Sequence, residues 1–217
     1  CDTGSTDGTQ ELIKKTMDGF GVPGEVIDCP WVNFHHNRNE ALDLAMANKD
    51  LDWVLFIDAD EVLHYDDIES IRVTSADMHC LDKSYGPLRY RIPFMINLRT
   101  KRFRWHGIIH EYISPDEKPI ESTVTNNKCW ILATPGEGVR SRGLTQVEKF
   151  LKDVEILLPE HEKNPDDTRT LFYLAQSYRD AHKLEEAIKY YKLRAAAGGW
   201  AEEVYSSQYM VVKLMLF

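Results

Sequence analysis

Hydrophobic positions change their spacing along the chain, from short runs in the first two thirds to a helical repeat in the last third. Residues 53–57 form a continuous apolar run that is too short for an independent helix. Such a run predicts a strand buried on both faces, as in a parallel sheet covered by helices. Residues 88–97 partly alternate and predict another strand, and residues 121–133 predict one or two more.

Two helices are predicted before the apolar run at 53–57. The second spans residues 37–47 and has Arg38 in its first turn, where a cation is unfavourable for the helix dipole. That placement suggests a contact with a nucleotide, although a solvated arginine is the alternative. The first helix is predicted to turn one set of residues towards the protein interior: Leu12, Ile13, Thr16, Met17 and Phe20.

From Leu144 onwards the pattern is purely helical. Thr145 and Glu148 have the spacing of a capping box, and Pro159 predicts the end of that helix. Residues 168–197 then read as a helical hairpin with the spacing of a tetratricopeptide unit, and a second unit would begin near Glu202. We therefore expect an α/β domain over residues 1–143 and a helical region over residues 144–217.

Both ends of the sequence suggest further elements. The opening CDTGSTDGT resembles the end of a strand running into a turn, so we expect a first strand to precede it. The apolar end VVKLMLF resembles an interrupted helix, and we expect the helical region to continue.

Two acids follow the apolar run at 53–57 directly. Asp58 and Asp60 would lie at the carboxyl end of the predicted strand, where open α/β sheets bind ligands. Carboxylates at this spacing can share one hard divalent cation, which in turn can hold a diphosphate. The alternative is a strand that leaves the core with its charges in water.

Two later segments carry further candidate chemistry. Residues 99–113 are dense in basic and aromatic side chains and include His110 and Glu111. On a strand these two would face opposite sides, unless the strand ends there. Arg140 and Arg142 lie in a glycine-containing loop, which suits either a phosphate lid or a solvated linker.

Composition narrows the functional classes. The chain of 217 residues has 35 acidic and 26 basic residues and a net charge of -9, which argues against a nucleic-acid partner. Its four scattered cysteines predict neither a zinc site nor a disulfide framework, and we expect a reducing, cytoplasmic compartment. No apolar run approaches the roughly 20 residues that a membrane crossing needs.

Four motifs occur in a fixed order: CDTGSTDGT, NRNEALDLA, FIDADE and WHGIIHEY. Together they resemble the family-two glycosyltransferases of the GT-A fold. FYLAQSYRDA and RAAAGGWAEEV resemble the branch with tetratricopeptide-like helices after the catalytic domain. The resemblance implies a GT-A (Rossmann-like) nucleotide-sugar-binding domain that lacks its first strand here, followed by those helices.

The resemblance also implies an activity: transfer of a sugar from a nucleoside-diphosphate sugar, with UDP-sugars favoured, to an acceptor hydroxyl with inversion, using Mn²⁺ or Mg²⁺. Thr3 stands where many relatives carry a second acid, which leaves the choice of nucleoside open. The implied roles are nucleotide-sugar contacts from Asp2, Arg38, Asp58, Arg140 and Arg142, metal ligation by Asp58, Asp60 and His110, and general-base catalysis by Glu111.

Two other functions fit parts of the sequence. The helices could bind a protein partner, which would make the chain an adaptor with a vestigial transferase domain. An apolar strand followed by DADEVL also suits a haloacid-dehalogenase-type phosphatase with Asp58 as nucleophile, although that fold normally begins with this strand.

Overall fold

A computed structural model describes residues 1–66, 75–124, 129–134 and 143–216 of the protein. Within these ranges two helices come first, a mixed sheet and a small hairpin follow, and four helices end the chain. The helices are α1 (Thr9–Phe20), α2 (Phe34–Ala47), α3 (Gln146–Lys163), α4 (Thr168–Asp180), α5 (Leu184–Ala196) and α6 (Ala201–Leu216). The strands are β1 (Trp53–Leu55), β2 (Glu61–Tyr65), β3 (Met78–Tyr85), β4 (Leu88–Asn97), β5 (Phe103–His106), β6 (Tyr112–Pro115), β7 (Ser122–Val124) and β8 (Cys129–Ala133).

The main sheet is mixed, with the order β1-β4-β3-β8-β2 and with β7 paired to β3. The pairs β1–β4, β3–β4 and β2–β8 are antiparallel, whereas β3 is parallel to both β7 and β8. Strands β5 and β6 form a separate antiparallel hairpin. Strand β4 has the predicted bounds, and β7 and β8 lie within the predicted 121–133 segment.

The prediction of a doubly buried parallel strand at 53–57 was wrong. Strand β1 covers only Trp53–Leu55, lies at one end of the sheet order and pairs antiparallel with β4. Leu55 is 41% exposed and Ile57 42% exposed. An apolar run reports a strand, but it does not report which neighbours cover the strand.

Helix α1 forms as predicted, but its apolar residues are not buried. The structure buries none of its side chains, and Phe20 is 81% exposed. Near this helix, Asp2 and Asp28 form one parallel bridge outside the named strands.

Helix α2 begins earlier than the sequence suggested. Asn33 is its N-cap and accepts a hydrogen bond from the backbone N–H of His36 at 2.8 Å. Arg38 consequently lies in the second turn, so the dipole argument does not apply to it. Leu42 is the apolar anchor of this helix, and it packs against Met78, Ile96, Phe103, Trp105 and Ile113.

The helical region forms the predicted helices, with one boundary corrected. The capping box of Thr145 and Glu148 is present at the start of α3. This helix continues through Pro159 to Lys163, because its last turn is held by packing such as the contact of His161 with the ring of Tyr190 at 5.9 Å. The hairpin prediction for 168–197 corresponds to α4 and α5; the identity of these helices as tetratricopeptide-like stays a prediction.

The helical core extends into the first two thirds of the chain. Ile109 is 3% exposed and belongs to the cluster formed by α3, α4 and α5. The proposed boundary at residue 143 remains a sequence prediction, but packing crosses it. None of the described helices combines the length and apolarity that crossing a membrane requires.

Candidate active site

A cleft of about 590 Å³ lies between the sheet, the β5–β6 hairpin and α4. Four residues that the sequence analysis singled out from distant segments line it together: Arg38, Asp58, His110 and Glu111. The other lining residues come mainly from the sheet strands and from α4. They are Phe56, Ile57, Glu61, Lys83, Tyr90, Arg91, Ile92, Pro93, Trp105, Tyr112, Ile113, Arg169 and Tyr173.

Arg38 and Asp58 form an ion pair in this cleft. The Nη2 atom of Arg38 donates to Oδ1 of Asp58 at 2.8 Å, and the guanidinium lies 4.8 Å from the ring centroid of Trp105. Nε of Arg38 and Nε1 of Trp105 are buried and lack an acceptor within the described residues. Buried donors without acceptors are costly and concentrate where a ligand or water completes them.

The acidic turn after β1 is held by a residue that sequence reasoning did not select. Glu61 accepts a hydrogen bond from the backbone N–H of Asp58 at 3.0 Å, and its other oxygen pairs with Lys83. Burial alone would lower the pKa of Lys83, but the hydrogen bond and charge of Glu61 more than offset this and raise it. The Glu61–Lys83 pair thus places one cation and one anion beside Asp58.

Asp60 lies in the same turn, exposed, and is not among the residues lining the cleft. Across the described ranges, no three His, Cys, Asp or Glu side chains converge as a metal cage would require. Ions such as Mg²⁺ are commonly held by only one or two carboxylates, with phosphate and water oxygens completing the shell. Two hard carboxylates fit that donor set, and ligation by Asp58, Asp60 and His110 stays a prediction.

His110 and Glu111 lie where the hairpin turns from β5 into β6. The sequence left open whether the two side chains could serve the same cleft. Because β5 ends at His106 and β6 begins at Tyr112, both residues belong to the turn, and both line the cleft.

Helix α4 supplies one wall of the cleft. The ring of Tyr173 stacks on that of His110, with centroids 4.0 Å apart, and the guanidinium of Arg169 lies 4.6 Å from the ring centroid of Tyr112. Burial raises the pKa of Tyr173, and the charge of Arg169 partly opposes this. A second cleft of about 370 Å³ shares Tyr112, Arg169 and Tyr173 with the first. The helical region therefore contributes directly to the site.

Asp2 is not among the residues that line this cleft, and its carboxylate is hydrogen-bonded to residues close to it in sequence. Its carboxylate accepts hydrogen bonds from the backbone N–H groups of Gly4 and Ser5 and from the side chains of Ser5 and Gln10. These bonds hold the pKa of Asp2 well below its usual range. A nucleoside contact by Asp2 stays a prediction, and Arg140 and Arg142 lie outside the described residues.

The charge of the cleft differs from that of the whole chain. Arg38, Lys83, Arg91 and Arg169 are four cations, against the three carboxylates of Asp58, Glu61 and Glu111. The chain as a whole carries a net charge of -9. The cleft lining thus carries an excess of one cation on an otherwise acidic protein, which suits an anionic small molecule.

The mixed α/β region followed by helices fits a GT-A-like domain. The model of one protein family, "Glycosyl transferase family 2", matches residues 1–76. The matched segment includes Asp2, Arg38, Asp58 and Asp60. The match supports glycosyltransferase activity for the protein. The matched segment ends before His110 and Glu111. A search among curated proteins returned no match.

Proposed function

We propose that the protein is a metal-dependent inverting glycosyltransferase that moves a sugar from a nucleoside-diphosphate sugar to an acceptor hydroxyl. The observation that carries this proposal is the convergence of Arg38, Asp58, His110 and Glu111 on one cleft. Its volume of about 590 Å³ lies in the range of small-molecule sites. The family match over residues 1–76 supports the same reaction class.

In this proposal the diphosphate binds beside Arg38 and Asp58. Arg38 orients Asp58 through their 2.8 Å ion pair and carries a buried N–H that needs an acceptor. Phosphate oxygens are strong acceptors for guanidinium groups. Mn²⁺ or Mg²⁺, held by Asp58 and Asp60, would supply positive charge against the departing phosphates when bound.

Glu111 is the proposed general base. The acceptor hydroxyl loses a proton as its oxygen attacks the anomeric carbon, and a carboxylate within reach takes that proton. Glu111 lies in the turn between β5 and β6 and lines the cleft. The nucleoside diphosphate leaves from the opposite face of the sugar, which inverts the configuration.

The test is a panel of nucleotide sugars, UDP-sugars first, assayed with Mn²⁺ for release of the nucleoside diphosphate. Asp60→Ala should lower turnover by about 100-fold or more, as expected when charge stabilisation of a leaving group is lost. Asp50→Ala is the matched control, because Asp50 is also exposed and does not line the cleft. Wild-type turnover in Asp60→Ala would contradict the metal assignment, and failure to bind any nucleotide sugar would contradict the function.

A further inference from the structure

The turn that carries His110 and Glu111 has a backbone that needs external support. His110 has φ of 57°, a left-handed conformation that is uncommon for residues other than glycine. Gly107 has φ of 86°, and a Cβ atom there would lie 3.3 Å from the carbonyl oxygen of Ile109. Strained conformations of this kind persist when the surrounding structure fixes them.

The support comes from the helical region. Ile109, in the middle of the turn, is 3% exposed and packs in the helical core. The His110 ring lies nearly parallel to that of Tyr173, at 10°. The turn is thus anchored to the helical region through the Ile109 side chain and through the ring of His110.

Arg169 connects these contacts. Its Nη2 atom lies 3.4 Å from the carbonyl oxygen of His110, to which it donates, and 3.1 Å from the hydroxyl of Tyr173. Its guanidinium lies 4.6 Å from the ring centroid of Tyr112 and 4.9 Å from that of Tyr173. One planar cation therefore contacts residues on both sides of Glu111 in sequence.

The Arg169 side chain also contacts a buried ion pair of the helical region. Its Nη1 atom lies 3.5 Å from Oε1 of Glu203 in α6. Glu203 is 5% exposed and accepts two hydrogen bonds, at 3.1 and 2.9 Å, from Arg194 of α5, which is fully buried. Three helices thereby fix the guanidinium that faces the turn.

We infer that Arg169 is a positioning residue for the catalytic turn: it holds His110 and Glu111 in place from the helical region. The inference rests on the proposed function, since it concerns the base of that reaction. The helical region would then help to position the residues of the proposed active site. Arg169 acts through the turn and does not itself move a proton.

Arg169→Lys is the informative substitution because it keeps the charge and removes the planar fork. A lysine ammonium cannot stack on two tyrosine rings while donating to His110 in the same geometry. Arg179→Lys is the matched control. Arg179 lies on the same helix with a side chain 26% exposed, against 30% for Arg169, and it pairs with Asp180 outside both clefts.

The first readout is hydrogen–deuterium exchange of the peptide covering residues 106–113, in the full chain. Arg169→Lys should accelerate exchange in this peptide by about tenfold, because the turn opens locally. Arg179→Lys should leave it unchanged. Equal exchange in the two variants, or unchanged exchange in Arg169→Lys, overturns the inference.

The second readout is the turnover of the best nucleotide-sugar donor with Mn²⁺. Arg169→Lys should lower kcat by about 100-fold, since a misplaced catalytic group costs that much, while KM stays within twofold. A raised KM with unchanged kcat would make Arg169 a donor contact and overturn the positioning role. Wild-type protein that turns over no donor refutes the proposed function, and the exchange comparison still decides whether Arg169 holds the turn.

Discussion

Helices α1 and α4 are similar in length and have similar apolar spacing, but they differ in how far their side chains are buried. Helix α4 buries Thr170, Leu171, Phe172, Leu174, Ala175 and Ser177, whereas α1 buries none of its residues. The difference lies in their neighbours. Helix α4 packs against α3 and α5, whereas no α1 residue belongs to a buried apolar cluster of the described residues. Apolar periodicity therefore predicts a helix and its apolar face, but the packing of distant elements decides whether that face is buried.

The comparison extends from these two helices to the regions that contain them. The helical region has a continuous core and a buried ion network around Arg194, which is completely buried. The ion pair of Arg104 with Asp43, between the hairpin and α2, is more exposed, since the side chain of Asp43 is 55% exposed. The buried network should therefore contribute more to stability than this exposed pair.

The largest predicted loss of stability comes from breaking the buried ion network. Glu203→Ala should lower the free energy of unfolding by about 3–5 kcal/mol, because it leaves Arg194 buried without its partner. Asp43→Ala removes an exposed partner and should cost at most about 1 kcal/mol. Urea denaturation followed by circular dichroism measures both. Equal losses in the two variants would contradict the proposed contrast between the buried network and the exposed pair.

The second prediction compares the two helices directly. Leu174→Ala should destabilise the protein by about 2–5 kcal/mol, since Leu174 is completely buried and its truncation leaves a cavity. Leu12→Ala in α1 should change stability by less than about 0.5 kcal/mol, because Leu12 is 65% exposed. The same denaturation measurement applies. A costly Leu12→Ala would show that the α1 surface is covered in solution.

The third prediction concerns the turn where the two regions meet. Glu111→Gln should lower kcat for sugar transfer by about 100-fold, because the amide cannot accept the proton. Donor affinity should stay within twofold, and the unfolding midpoint should not move. Steady-state kinetics and a thermal melt on one preparation test this. A parallel loss of donor affinity would instead make Glu111 a binding residue.

The smallest predicted effect is the pH dependence contributed by Asp2. Hydrogen bonds from Ser5 and Gln10 lower its folded pKa below the ordinary value of 3.8. Because the pKa of Asp2 is lower in the folded protein than in the unfolded chain, the charged carboxylate stabilises the fold when the pH is above the unfolded-state pKa. This contribution is lost as the pH falls through the folded-state pKa. The difference in melting temperature between wild type and Asp2→Asn should thus be larger at pH 6 than at pH 3. If the difference in melting temperature did not change with pH, the hydrogen bonds would not lower the pKa of Asp2 as stated here.

Local patterns predicted the elements well where neighbouring residues decide the outcome. The strand at Leu88–Asn97 and the capping box at Thr145 depend on alternation and on a three-residue spacing. The position of β1 in the sheet and the exposure of α1 depend on distant partners, which no local pattern contains. The end predicted at Pro159 failed for the same reason, since packing on Tyr190 supports the last turn.

The candidate site was predicted in part. Arg38 and Asp58 were selected from their local patterns as well as by resemblance, His110 and Glu111 were assigned roles by resemblance, and the fold places all four in one cleft. Arg169 was missed, although the argument first applied to Arg38 fits it better: Arg169 lies in the first turn of α4, where a cation opposes the helix dipole. Nothing in the sequence indicated Lys83, because its pairing with Glu61 depends on how β2 and β3 are arranged in the sheet.

The most direct test of the account is nuclear magnetic resonance of the protein with UDP and Mn²⁺. Paramagnetic Mn²⁺ broadens nearby resonances, so it reports where a metal–nucleotide complex lies. We predict strong broadening of residues 58–61 and of the turn at 107–111, and much weaker broadening at the far end of α6, residues 212–216, when both are present. Broadening confined to other regions, or none at saturating UDP and Mn²⁺, would contradict the assignment of this cleft as the donor site.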